Sequence, residues 1–281
     1  MRNDFGALIF GLVTALCLLP SDGFGQIWGG QDAAAVDQAP PRANKSAPAS
    51  SAAFDPHDLT GVWVTNHRGT NGYRGMTTEE GIPPRTPSAE ALFKSRLTGR
   101  ITTEKDAVPP AFGNDPIMEC NPYGFPRLLF YTDPVEFFNA PGRLMMFFQG
   151  QRNIREVWMD GRSLPKDPDR RWLGYSIGKW EADTLVIYSS GFDGRAWLDQ
   201  YGNVYSDDMH FQERWRRTGP DTLEVVYRLD DPKSYTKPWI STVKTFKREP
   251  RGEIREQFCA PVDERSFNDK IRDPAGGLGK K

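Results

Sequence analysis

The sequence predicts an all-β protein, an up-and-down antiparallel barrel with one short helix and long loops at its open end. Three observations predict it. From Val135 to Cys259, short stretches rich in β-branched and aromatic residues alternate with Gly, Pro and Asp turns. Two of these stretches pair most clearly: Val135–Asn139 with Arg143–Gln149 across Ala140-Pro141-Gly142, and Met209–Arg217 with Thr222–Leu229 across residues 218–221. Aromatic residues make up 12% of the chain, eight of them Trp, so they must be buried or line something. Strands joined by tight turns close most simply as a barrel, and such barrels usually enclose a pocket.

The elements follow in chain order. Arg2, the apolar run from Phe5 to Leu19 and the small residues Gly23-Phe24-Gly25 predict a signal peptide over residues 1–25, hence a periplasmic or secreted protein. The run is too short for a membrane span, and Cys17 lies inside it without a small residue before it, which argues against a lipoprotein. Residues 26–54, rich in Ala, Pro and Ser, read as a linker. The first strand is expected from Leu59 to Asn66. Thr86-Pro87 followed by Ser-Ala-Glu-Ala-Leu predicts an N-cap, a Pro at the first helical position and a short helix over 87–97. The barrel domain should span 55–265, about 210 residues, with a flexible tail over 266–281.

Charge and cysteine usage narrow the possible partners. With 36 basic and 37 acidic residues the net charge is −1 and no basic tract stands apart, which argues against nucleic acid and against an electrostatic membrane anchor. Without the leader two cysteines remain, Cys120 and Cys259, and in an oxidising compartment they are expected to form a disulfide. Closing so long a loop would contribute about 4 kcal/mol. His57, His67 and His210 are the only histidines and have no Cys or second His at ligand spacing, so no metal site and no cofactor is predicted.

Two resemblances carry further expectations. Gly61-Val62-Trp63 on the first strand, followed by a run of hairpins, resembles the lipocalin and wider calycin pattern. That resemblance implies that Trp63 plugs the closed end of the barrel beneath a basic residue of the last strand, for which Arg255 is the match. The strings Cys120–Arg127, Met159–Arg162, Ser176–Val186 and Asp231–Trp239 resemble an uncharacterised family of exported proteins of environmental bacteria. This second resemblance implies membership and no mechanism.

Strand alternation selects the candidate site. On Met209–Arg217, Met209, Phe211, Glu213 and Trp215 share one face, the better candidate for the interior, and His210 falls on the other. A carboxylate among aromatic residues suits general acid or base work, but Glu213 paired with a buried arginine such as Arg155 or Arg127 would be structural instead. The long connection from Gly191 to Gly202 carries Trp197 and Asp199, and that from Asp231 to Trp239 carries Tyr235 and Trp239, all suited to a pocket mouth. The candidate catalytic residues are thus Glu213, His210, Asp199 and Tyr235, and the candidate substrate-binding residues Trp197, Trp239, Arg155 and Arg127.

Two functions fit this pattern. One is a cofactor-independent enzyme, an isomerase, lyase, cyclase or hydratase, that moves a proton on an apolar or aromatic small molecule held in the barrel. The other is a non-catalytic periplasmic carrier or binding protein for such a molecule. The polar residues at inward positions, Glu213 above all, favour the enzyme.

Overall fold

The computed structural model describes residues 53–65, 75–76, 81–96, 115–260 and 267–272. The expected leader, most of the linker, His67 and residues 273–281 lie outside the described residues. Ten strands form one sheet: β1 (Gly61–Thr65), β2 (Val135–Ala140), β3 (Arg143–Phe148), β4 (Ile154–Trp158), β5 (Tyr175–Glu181), β6 (Thr184–Ser190), β7 (His210–Gly219), β8 (Thr222–Asp230), β9 (Trp239–Ile240) and β10 (Lys244–Arg248). Both hairpins read from the sequence are present, with β2 against β3 and β7 against β8. The expected helix is α1 (Pro87–Arg96), capped by the Thr86 hydroxyl, which accepts from the Ala89 amide. In the expected tail, residues 268–272 form one helical turn.

The sheet closes. β1 pairs with both β2 and β10, and β10 pairs with β8, so nine strands form a ring. A ring of alternating direction needs an even number of strands, so nine strands require a parallel pair. That pair is β4 and β5, the one departure from an antiparallel meander. Parallel neighbours need a long crossover, and residues 159–174 supply it.

The ninth position along β8 is shared by two segments. β10 covers Thr222 to Val225 and β9 covers Arg228 and Leu229. Between them Ser241 takes over the ladder, its amide donating to Tyr227 O at 2.9 Å and its hydroxyl accepting from Tyr227 N at 2.9 Å. The broken strand thus keeps Tyr227 hydrogen-bonded while bending the chain between β9 and β10.

Alternation fills the interior. Trp63, Phe137, Met146, Val157, Leu185, Ile187, Phe211, Trp215, Val225, Tyr227 and Phe246 face inward and are at most 2% exposed. Trp215 packs edge-on or tilted against Phe137, Tyr227 and Phe246 at 5.3–6.4 Å. The tight β-turns at 141–142, 182–183 and 220–221 lie at one end. The chain leaves β1, β3, β6 and β8 for its longer connections at the other end.

Trp63 is buried at the tight-turn end, as expected, and its indole donates to Leu59 O at 2.8 Å. The basic cover is not Arg255. Arg217 of β7 stands over the Trp63 ring at 5.8 Å and donates to the carbonyls of Asp58 and Pro220 at 2.6 and 2.7 Å. Arg255 lies beyond the last strand and is exposed, and its amide donates to Gln149 at the loop-bearing end. The last strand ends at Arg248, too early to carry Arg255, and the inward alternation of β7 delivers a guanidinium to the same place instead. Cys120 and Cys259 are disulfide-bonded, with Cα atoms 5.4 Å apart, which ties the segment before β2 to the segment after β10.

Candidate functional site

Glu213 does face the interior, and its carboxylate is hydrogen-bonded on both oxygens there. Its carboxylate accepts from Arg155 Nη2 at 2.6 Å, Arg155 Nη1 at 3.1 Å and Trp215 Nε1 at 3.0 Å. Arg155, inward on β4, also donates to Ser176 Oγ, to Ser189 Oγ and to Met146 Sδ, and its guanidinium lies 3.8 Å over the Phe125 ring. Both charged side chains are at most 1% exposed. A bidentate pair with further hydrogen bonds on both partners is what allows two charges to sit in an apolar interior. Phe125 comes from a segment that enters the barrel mouth through Gly124, where a φ of +73° and the 2.6 Å that would separate an added Cβ from Ala196 Cβ disfavour any side chain.

The loop-bearing end is sewn together by the polar residues that the sequence nominates. Asp199 is fully buried and accepts from the amides of Met76, Tyr201 and Asn203 and from Asn203 Nδ2 at 2.7–3.2 Å. Gly75, beside Met76, lies so near this carboxylate that a Cβ would stand 2.3 Å from Oδ2. Burial nevertheless holds the Asp199 carboxyl above its ordinary range, outweighing these donors. Tyr235 donates to Val204 O at 2.8 Å, and burial together with the Asp199 charge pushes its phenol well upward, so it is a neutral donor. Arg96 donates to the carbonyls of Gly202 and Asn203, stands 5.4 Å over Trp197 and is pulled down to about 10 by burial, still charged at neutral pH. Arg85 completes the seam through Asn203 and Glu90.

The remaining candidates stand elsewhere. Arg127 is buried in a bidentate pair with Asp115 at 2.6 and 2.9 Å and donates to Tyr131 OH. His210 begins β7 on the face opposite Glu213, half-buried. Burial lowers its pKa, against the opposing pull of Asp230, Asp208 and Asp231. Asp199 and Tyr235 therefore share one electrostatic environment with Trp197 beside it. Glu213 belongs to a separate one, with Arg155.

Trp239 differs from the other candidates. It pairs with Leu229, faces inward, is 1% exposed and meets Phe130 edge-on at 6.3 Å, but its Nε1 has no acceptor among the described residues. A buried donor left unsatisfied costs about 1–3 kcal/mol. Below it Lys244, opposite Val225 and therefore inward, is 2% exposed and donates to Thr242 Oγ1 at 3.2 Å. Sequence reasoning missed Lys244, although Lys244-Thr-Phe246 alternates and Phe246 is plainly apolar. The β9–β10 break that brings it inside gives no such signal. No family model, no curated protein and no solved structure matches this chain.

Proposed function

We propose that this chain is an exported binding protein that holds an apolar or aromatic small molecule at the loop-bearing end of its barrel. The observation that carries the reading is the buried indole N–H of Trp239, set among aromatic rings and without an acceptor. Buried donors in native proteins are almost always paired, and a bound molecule supplies the missing partner. The commitment of the nominated acid–base groups points the same way. Catalysis needs two titratable groups in reach of one ligand atom, whereas Glu213 is held in a bidentate pair with Arg155, Asp199 accepts from four donors of its own neighbourhood, Tyr235 is neutral and His210 lies on the outer face. Export is supported by the leader pattern and by the Cys120–Cys259 bond.

Mass spectrometry of the protein purified without denaturation from its exported fraction tests the reading. A small aromatic molecule should accompany the folded protein and be lost on unfolding. A bare polypeptide mass, with no rise in Tm on adding naphthalene-type ligands, would refute it. Turnover of the bound molecule, abolished in Glu213→Gln with the fold intact, would establish the isomerase or lyase reading instead.

A further inference from the structure

The binding site proposed above has a chemistry that can be read from its walls. Phe130 stands between Tyr227 and Trp239, edge-on to both rings at 5.9 and 6.3 Å. Tyr227 and Trp239 face inward from β8 and β9 on either side of the break at Ser241, and Lys244 follows it on the same face. The break matters because it interrupts the ladder where three aromatic rings meet, and bulges placed in this way re-aim side chains. The flat rings favour a flat apolar partner, which gains offset or edge contacts without needing directional groups. The indole adds one directional demand, since Nε1–H can only donate.

We infer that the ligand is a flat aromatic molecule carrying an oxygen acceptor, carbonyl or carboxylate, that takes the Trp239 Nε1 hydrogen bond beside the Phe130–Tyr227 pair. This rests on the binding reading and adds the polar half of the ligand to it. A hydroxyl-free hydrocarbon of the same shape would fill the ring contacts and leave the indole as it is.

Two ligands of similar shape isolate the acceptor: 2-acetylnaphthalene, and 2-isopropylnaphthalene, which has the same rings and a side chain of the same heavy-atom count but no oxygen. Equilibrium dialysis with the full exported chain should show the ketone binding about threefold to tenfold more tightly, the net worth of one hydrogen bond. Trp239→Phe keeps a ring against Phe130 and should erase that preference while leaving 2-isopropylnaphthalene within about twofold. In protein with ¹⁵N-labelled indoles, one Trp Nε1–H resonance should move downfield with the ketone and stay with the hydrocarbon. That readout stands even if the variant fails to fold. With 2-naphthoate as a third arm, the tighter of the two oxygenated ligands identifies a carboxylate or a neutral carbonyl as the natural group. Equal binding of ketone and hydrocarbon, with no indole shift, means that only a buried water satisfies Trp239; the acceptor inference falls and the binding reading survives. If neither ligand binds and nothing accompanies the purified protein, both fall together.

Discussion

Glu213→Gln tests whether the barrel interior is a structural centre. The substitution keeps the shape of the side chain and removes its charge. The carboxylate accepts three hydrogen bonds, two of them from Arg155, and both partners are at most 1% exposed. An amide can still accept on its oxygen, but its NH₂ must face a guanidinium that only donates, and Arg155 keeps a full charge with no counter-charge at its side. Breaking a buried pair from one side costs about 3–5 kcal/mol. At about 2–4 °C per kcal/mol for a domain of this size, Tm should fall by about 6–20 °C. Urea unfolding followed by far-UV circular dichroism, with the disulfide intact, measures it. The double variant Glu213→Leu/Arg155→Met, which removes both charges, should recover most of the loss. It should also lose hydrogen-exchange protection at Tyr175 to Ile177. A Glu213→Gln protein within 1 kcal/mol of the parent, by the general scale for surface substitutions, would refute the argument.

Other expectations follow from single contacts. Arg217→Ala should destabilise by about 1–3 kcal/mol because the carbonyls of Asp58 and Pro220 lose a buried donor, whereas Arg255→Ala should stay within about 0.5 kcal/mol in the same urea titration. Unfolded without reductant, the chain from Gln26 onward should expose no reactive thiol, and reduction should lower stability by about 4–5 kcal/mol given the 139-residue separation of Cys120 and Cys259. Burial depresses the folded His210 pKa below the ordinary histidine value, so the unfolded chain takes up this proton first as pH falls. Stability should therefore decline below about pH 6.5, by at most about 1.4 kcal/mol per pH unit from this group, and His210→Gln should flatten that slope in urea midpoints measured at pH 5, 6 and 7.

What the sequence made legible was local. Period-two alternation in β7 put Glu213 inside and His210 outside, and the turns at 140–142 and 218–221 fixed two hairpins to within a residue or two. The Thr86-Pro87 start located α1. Long-range partners were less accessible. Arg155 and Arg127 were both plausible mates for Glu213, and only closure of the ring decides that β4 faces β7 while Arg127 meets Asp115. The parallel pair leaves no mark on the residues of β4 or β5, because it is a consequence of strand count. Asp199, Tyr235 and Trp197 read as a pocket mouth since loop polarity and loop stitching use the same residue types, and sequence cannot say whether an Asp accepts from a ligand or from four donors of its own neighbourhood.

The placement of the buried pair follows from the weakest seam of the ring. Neighbouring strands β2 to β3 and β5 to β8 are held over six or more registered residues each, but β4 and β5 share only two, Val157 with Ser176 and Trp158 with Ile177. Two rungs specify register poorly, and a slip of one residue turns a strand inside out. Arg155 crosses this seam: from β4 it bonds Ser176 on β5, Ser189 on β6 and Glu213 on β7. Were β7 to slip by one, Glu213 would leave the interior and Gln212 or Arg214 would take its place; the latter sets a second guanidinium against the first in an apolar core. Hydrophobic side chains would tolerate such a slip far better, because Trp215 and Phe211 carry no directional demand beyond shape. A charged pair whose every donor has a defined acceptor penalises each alternative register by an unpaired buried charge. The inward Arg and Glu, the features that look most like an active site, thus sit where a closed ring of odd strand number most needs its alignment enforced.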